Sequence, residues 1–360
     1  MGAIANGIVS KGVIMALCIE SIIRILAFSF SMVSASSVVA QIDDEEEGGG
    51  VAVQQELTAP GPEGPLAGTL TLPVGDVEIS EEAPVVLIVP GSGPTDRDGN
   101  SPLGVSAAPY ALLAEALAER GILSVRIDKR GMFGSADAVA DANDATIAAY
   151  GDDLLAWAET IRARLPTRNG ERCVVPLGHS EGGLVALAAI ERLPDTCGLI
   201  LVSTPGRPLG DVIRQQLRDN PANTPLLDEA ETAITSLERG EKVDTSALNP
   251  ALQQVFAPEV QGFLIDAFAY DPAALMAATR VPVLVVQGLR DLQVGEADAR
   301  RLADAAPEAA LSLVQDVNHV LKVVSSDDTA SNLATYADQD LPIALDLVEA
   351  VSQFLAQIYE

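Results

Sequence analysis

Ser180 stands between two glycines, in Gly178-His179-Ser180-Glu181-Gly182, directly after the run Cys173-Val174-Val175-Pro176-Leu177 and before Leu184-Val185-Ala186-Leu187-Ala188-Ala189-Ile190. The first run has the apolar, β-branched character of a buried parallel strand, and the second continues as a helix. A serine at such a joint sits on a tight turn that holds its hydroxyl above the end of a sheet. Gly178 and Gly182 then let neighbouring backbone pass where a Cβ would obstruct it. A hydroxyl placed this way can attack a carbonyl carbon if the chain also supplies a base, an acid and donors for the oxyanion. Five residues with two glycines occur by chance in many chains, so those further groups decide the matter.

The chain contains two histidines, His179 and His319. His179 lies beside the serine inside the turn, where its ring points away from the attacking oxygen, which leaves His319 as the base. His319 follows the last predicted strand in Gln315-Asp316-Val317-Asn318-His319, at the strand ends where a loop can reach Ser180. The acid should lie between serine and histidine in chain order and just past a strand. Asp291 satisfies both conditions after Val281-Pro282-Val283-Leu284-Val285-Val286-Gln287-Gly288. Asp316 is the rival by proximity, but three residues from His319 on one loop it is better placed to cap or solvate.

Two backbone N–H groups must meet a developing oxyanion. Glu181, directly after the serine, supplies one. Ser92 supplies the other from Pro90-Gly91-Ser92-Gly93-Pro94, which follows the apolar strand ending at Val89, with Gly91 allowing the turn and Gly93 beside it. Asp96, Arg97 and Asp98 follow on the rim, where mutual ion pairs would brace the loop. Asp128-Lys129-Arg130-Gly131 after another strand has the look of a second brace.

Strands predicted at residues 51–58, 66–73, 84–89, 122–127, 173–177, 198–202, 281–287 and 310–314 alternate, after the first two, with helices at 107–120, 146–165, 296–305 and 341–359. That rhythm implies an α/β chain with a doubly wound, mostly parallel sheet whose site lies at the carboxyl ends of the strands. Residues 206–278 break it with helical periodicity at 210–220 and 224–239 and no strand, as a helical cap insertion would. The core is then 51–205 plus 279–360.

The bulk numbers fit one large domain. The chain has 360 residues, 48% of them hydrophobic, and 51 acidic against 22 basic residues give a formal charge of −29. Nucleic-acid binding needs clustered Lys and Arg and is excluded on that balance. The acidic surface suits solubility and resembles that of salt-adapted proteins, although an acidic protein of an ordinary habitat reads the same way. Residues 1–40 read as a secretory signal cleaved before Gln41, with export to a periplasmic or extracellular space; a retained membrane anchor is the poorer alternative, because the apolar span is short and carries several serines. Residues 41–50, Gln-Ile-Asp-Asp-Glu-Glu-Glu-Gly-Gly-Gly, form an acidic linker. Cys173 and Cys197 each open a predicted strand and could bridge in an oxidising compartment; two separate buried thiols are the alternative. No metal-ligand set and no need for a cofactor emerge, since two distant histidines and no closely spaced cysteines give no zinc site.

Taken together, Gly91-Ser92-Gly93-Pro94 with Asp96-Arg97-Asp98, Asp128-Lys129-Arg130-Gly131 with Gly134-Ser135, Gly178-His179-Ser180-Glu181-Gly182-Gly183, Gly288 with Asp291, and Asn318-His319 resemble the α/β-hydrolase superfamily. Within it the chain is similar to bacterial carboxylesterases with a GSGP loop and to serine aminopeptidase-like hydrolases, over residues 80–358. The resemblance implies an α/β-hydrolase fold and an acyl-enzyme route with Ser180, His319 and Asp291. Small or medium acyl esters are the expected substrates. The alternatives are amide or aminopeptide cleavage, for which Asp228, Glu229 or Glu231 of the cap could hold a free amine, and a binding protein that lost the chemistry.

Overall fold

A computed structural model of the chain describes residues 52–73, 82–167 and 172–359. The signal-segment and acidic-linker expectations for residues 1–50 lie outside the described residues. Eight strands form one sheet in the order β1-β2-β4-β3-β5-β6-β7-β8. β1 (Ala52–Ala59) and β2 (Leu66–Pro73) pair antiparallel at one edge, and β2 is antiparallel to β4 (Leu123–Ile127). From there β3 (Val85–Val89), β5 (Val174–His179), β6 (Leu199–Val202), β7 (Val283–Gly288) and β8 (Ala310–Val314) run parallel.

The inner strands are continuous apolar runs because both faces of the sheet are covered. β3 shows the two-residue period: Val85, Leu87 and Val89 enter one apolar cluster, Val86 and Ile88 the other. The first face is covered by α2 (Ile147–Arg164) and α3 (Glu181–Ala189), with Leu154, Trp157 and Ile161 buried there. The second is covered by α1 (Pro109–Ala118) and by α11 (Leu345–Tyr359) at the end of the chain, through Leu113, Leu117, Leu347, Val351 and Phe354. Thr146 starts α2 by accepting the Ala149 N–H through its hydroxyl at 3.1 Å.

Between β6 and β7 the chain forms α4 (Leu209–Asp219), α5 (Leu227–Glu238), α6 (Pro250–Val255), α7 (Gln261–Phe268) and α8 (Pro272–Ala278). Their buried Val212, Ile213, Ile234, Leu237, Val255 and Leu264 share the apolar cluster of the α2–α3 face. The insertion is therefore packed onto the core rather than tethered beside it. α9 (Glu296–Ala305) connects β7 to β8. Sequence periodicity carries the last helix back to 341, whereas α11 begins at Leu345 and a short α10 (Thr329–Ala334) precedes it. Short, capped helices of this kind bury too few residues to leave a 3.6-residue pattern.

Cys173 and Cys197 are joined by a disulfide with their Cα atoms 5.9 Å apart, Cys173 immediately before β5 and Cys197 two residues before the adjacent parallel strand β6. Among the described residues no helix is long and apolar enough to cross a membrane.

Candidate active site

The turn between β5 and α3 forces Ser180 to φ 54° and ψ −123°. A non-glycine residue there costs on the order of 1–3 kcal/mol, so the surroundings must hold it. Two backbone bonds do so: Ser180 N–H donates to Val202 at 2.9 Å, and Gly183 N–H donates to the Ser180 carbonyl at 3.0 Å. A Cβ on Gly178 would strike the Gly182 carbonyl, and a Cβ on Gly182 would strike the carbonyls of Val89 and Pro90. The glycines flanking the serine are thus required by close backbone approach, as the spacing predicts.

His319 lies on the loop after β8 and donates from Nδ1 to Oδ2 of Asp291 at 2.8 Å. Asp291 follows β7, and its carboxylate is fully buried. Its other oxygen accepts the backbone N–H groups of Gln293 at 2.7 Å and Val294 at 3.0 Å. Burial alone would raise the Asp291 pKa. The charge and hydrogen bond of His319, with the Val294 and Gln293 donors, more than offset it and hold the group below the ordinary carboxylate range. Asp316 instead pairs with Arg290, Oδ1 accepting from Nε at 3.2 Å and Nη2 at 3.1 Å. The His319 loop is pinned by Asn318, whose side chain donates to Thr335 Oγ1 at 2.7 Å and accepts the Lys322 N–H at 3.1 Å.

Ser92, Ser180 and Gln293 stand where two lobes of one cleft meet. One lobe, about 490 Å³ with its open mouth, is lined by Leu184, Pro205, Leu209, Val212, Pro272 and Val294, with Arg207 and Gln216 also on its wall. The other, about 470 Å³, is lined by Thr95, Val105, Tyr110, His319, Val320 and Tyr336 among others. Glu181 reaches the first lobe and Ser92 both. Neither Ser92 nor Glu181 gives its backbone N–H to an acceptor among the described residues. The left-handed residue of the Ser92 turn is Gly93, at φ 71°, not Gly91. Gly91 is confined by proximity, since a Cβ there would meet the Ser180 Cβ at 3.2 Å and His179 Nδ1 at 3.3 Å.

The rim cluster is braced differently from the mutual pairing the sequence suggests. Asp96 accepts the N–H groups of Asp98 and Asn100 at 2.9 and 2.8 Å, which closes its own turn. Arg97 reaches outward to Glu56 of β1 at 2.8 Å and to Asp128 at 2.9 Å, and Asp98 pairs with Arg126 of β4 at 2.8 Å. Neighbouring charges in a tight turn point apart, so their partners come from other strands.

Sequence reasoning also missed a buried chain of hydrogen bonds behind the site. Gly91 N–H donates to the Tyr110 hydroxyl at 3.1 Å, and that hydroxyl lies 2.8 Å from His179 Nδ1. His179 Nε2 in turn lies 2.9 Å from the His319 carbonyl. A carbonyl only accepts, so His179 carries its proton on Nε2 and Tyr110 donates to Nδ1. The chain ties the Ser92 loop to the His319 loop through a neutral imidazole. Nothing in the spacing of Tyr110 announces it.

Burial, with the neighbouring His319 adding to it, pushes the His179 pKa down to about 3 from 6.5. The native state therefore binds fewer protons than the unfolded chain between those values, and the stability present near neutral pH is lost as pH falls below about 6.5. By pH 4 this ring should cost about 3 kcal/mol. The check is urea unfolding of wild type and His179→Asn at pH 7 and pH 4: the wild type's stability relative to the variant should fall by that amount, and an unchanged difference would refute the neutral-ring assignment.

Comparison with known proteins agrees with this architecture. Residues 103–321, which include Ser180, Asp291 and His319, match the family described as serine aminopeptidase, S33. The chain is 26% identical over 259 residues to Esterase EstD of Thermotoga maritima, a span of 71% of this chain and 58% of EstD. Est1E from Butyrivibrio proteoclasticus superposes with a TM-score of 0.50 at 17% identity, over 84% of this chain and 98% of that one, which bears on the fold alone. With the hydrolase sheet, the strained serine and the matched segment in agreement, the chain belongs to the serine aminopeptidase S33 family of the α/β-hydrolase superfamily.

Proposed function

We propose that this chain is a serine hydrolase that cleaves carboxylic esters of small or medium acyl groups through an acyl-enzyme. Ser180 Oγ attacks the carbonyl carbon while His319 takes its proton; His319 then gives that proton to the departing alkoxide, and water repeats the sequence to release the acid. Asp291 holds the Nδ1–H tautomer of His319 and stabilises the imidazolium. The N–H groups of Ser92 and Glu181 receive the oxyanion. The observation that carries this reading is the 2.8 Å bond from His319 to a fully buried Asp291, on a cleft that Ser180 also lines.

Ester rather than peptide cleavage is favoured by the cleft wall. An aminopeptidase needs a carboxylate to hold the free amine of its substrate. Among the described residues lining the two lobes the acidic one is Glu181, and its carboxylate is bound to Lys129 at 3.1 Å. The cap acids considered from sequence line neither lobe: Glu231 binds Arg214 and Arg218, Glu229 accepts the Asn249 N–H, and Asp228 lies on the exposed surface of α5. Esterase EstD, 26% identical over 259 residues, supports the same choice.

Hydrolysis of p-nitrophenyl acetate through octanoate beside amino-acyl p-nitroanilides, with Ser180→Ala as control, tests the reading. Serine-dependent ester turnover with anilide turnover at least a hundredfold lower is expected. Serine-dependent cleavage of the anilides at comparable kcat/KM would replace the ester reading with the aminopeptidase one.

A further inference from the structure

Lys129, on the loop after β4, is 4% exposed and holds both proposed oxyanion donors at once. Its ammonium donates to the Gly91 carbonyl at 2.6 Å and to Glu181 Oε1 at 3.1 Å, and it lies 5.4 Å from the centroid of the Tyr150 ring. The carbonyl it grips belongs to the same peptide group as the Ser92 N–H. The Gly91–Ser92 peptide bond is trans, so that N–H points away from the ammonium, on the side of the group opposite the gripped oxygen. The second partner is the side chain of the residue whose own N–H is the other donor.

We infer that Lys129 is a positioning residue of the oxyanion hole, setting the orientation of the Gly91–Ser92 peptide and strengthening the Ser92 N–H as a donor. The inference rests on the ester-cleavage mechanism above and goes beyond it. Hydrogen bonding at a peptide oxygen withdraws electron density from the nitrogen, so the N–H becomes a better donor, and a charged partner enlarges the effect in a dry surrounding. The three directions available to an ammonium are taken by Gly91, Glu181 and the Tyr150 ring face, which fixes the peptide against rotation. Tyr110 holds the preceding N–H of Gly91 at 3.1 Å, so this residue is clamped on both its polar groups. A donor fixed before the oxyanion forms contributes most in the transition state, when charge gathers on that oxygen. A buried ion pair is by itself weak evidence of a contribution to stability, which leaves orientation as the stronger reason for this one.

The test compares the neutral pair Lys129→Met/Glu181→Gln with Glu181→Gln alone, so that no carboxylate is left buried without a partner. Relative to that reference, kcat should fall roughly tenfold or more while KM stays within about threefold, and affinity for a trifluoromethyl ketone, whose adduct carries an oxyanion, should fall by the same factor. A purely structural role would change thermal stability and leave the ratio of ketone to substrate-analogue affinity alone. Lys129→Gln, which keeps an uncharged donor beside Glu181, serves if the methionine variant does not fold, with the same parallel fall in kcat and ketone affinity expected. Values within twofold of the reference for the pair, or of wild type for Lys129→Gln, or a loss confined to KM, would overturn the inference. Ser180→Ala in the same assay separates the two levels: turnover within about tenfold of wild type there sinks the mechanism itself, whereas full serine dependence with insensitive Lys129 variants sinks the positioning role alone.

Discussion

Ser180→Ala is expected to lower kcat for a p-nitrophenyl ester by about 10⁴–10⁶-fold with the fold intact, and His319→Ala by a similar factor. Alanine can occupy φ 54° as serine does, and the two backbone bonds that hold residue 180 do not involve its side chain, so the elbow should persist. What disappears is the oxygen proposed to form the acyl-enzyme. His319→Ala keeps that oxygen but removes the group that takes its proton, and an unassisted hydroxyl is a poor nucleophile near neutral pH. Because the two act as one unit, the double variant should be no slower than the worse single one. Steady-state rates with circular dichroism on all three variants check this. A His319→Ala enzyme within tenfold of wild type would mean that the base has been misassigned.

Asp291→Asn should cost about 10⁴-fold in kcat, and Asp316→Asn less than about threefold. The asymmetry follows from the hydrogen bonds around each group. Asp291 Oδ1 accepts two backbone N–H groups, so an asparagine must place its carbonyl oxygen there. Its NH₂ then faces His319 Nδ1, where the carboxylate now accepts at 2.8 Å. The imidazole is driven to the tautomer with its proton on Nε2 and can no longer receive one from Ser180. Asp316, half exposed, loses only an ion pair with Arg290, and exposed pairs contribute little. Rates of the two variants on one ester decide the assignment; the reverse ranking would make Asp316 the acid.

Much of this site was legible in the sequence because its parts sit at strand ends, and strand ends can be read from apolar runs. The run 283–288 places Asp291, and the run 310–314 places His319, within a few residues of where the chain turns over the sheet. With two histidines in the chain, and one of them inside the elbow, composition alone pointed to His319. The bracing of the rim was misjudged for the converse reason: Arg97 and Asp98 find Glu56, Asp128 and Arg126 across strands β1 and β4, contacts fixed by sheet order rather than by neighbourhood in the chain.

The sequence by itself determined the hydrolase architecture, the serine at a glycine-flanked strand-to-helix turn, and one histidine and one aspartate at the ends of later strands. These depend on local backbone conformation and on side-chain periodicity, both written into short stretches of chain. Only the tertiary structure decided that Cys173 bridges Cys197, that the cap acids stay away from the cleft, that Tyr110 and His179 link two loops, and that Lys129 grips the carbonyl behind the Ser92 N–H. Each of those depends on which distant segments the sheet brings side by side, and a buried polar group takes whatever partner packing leaves within hydrogen-bond reach.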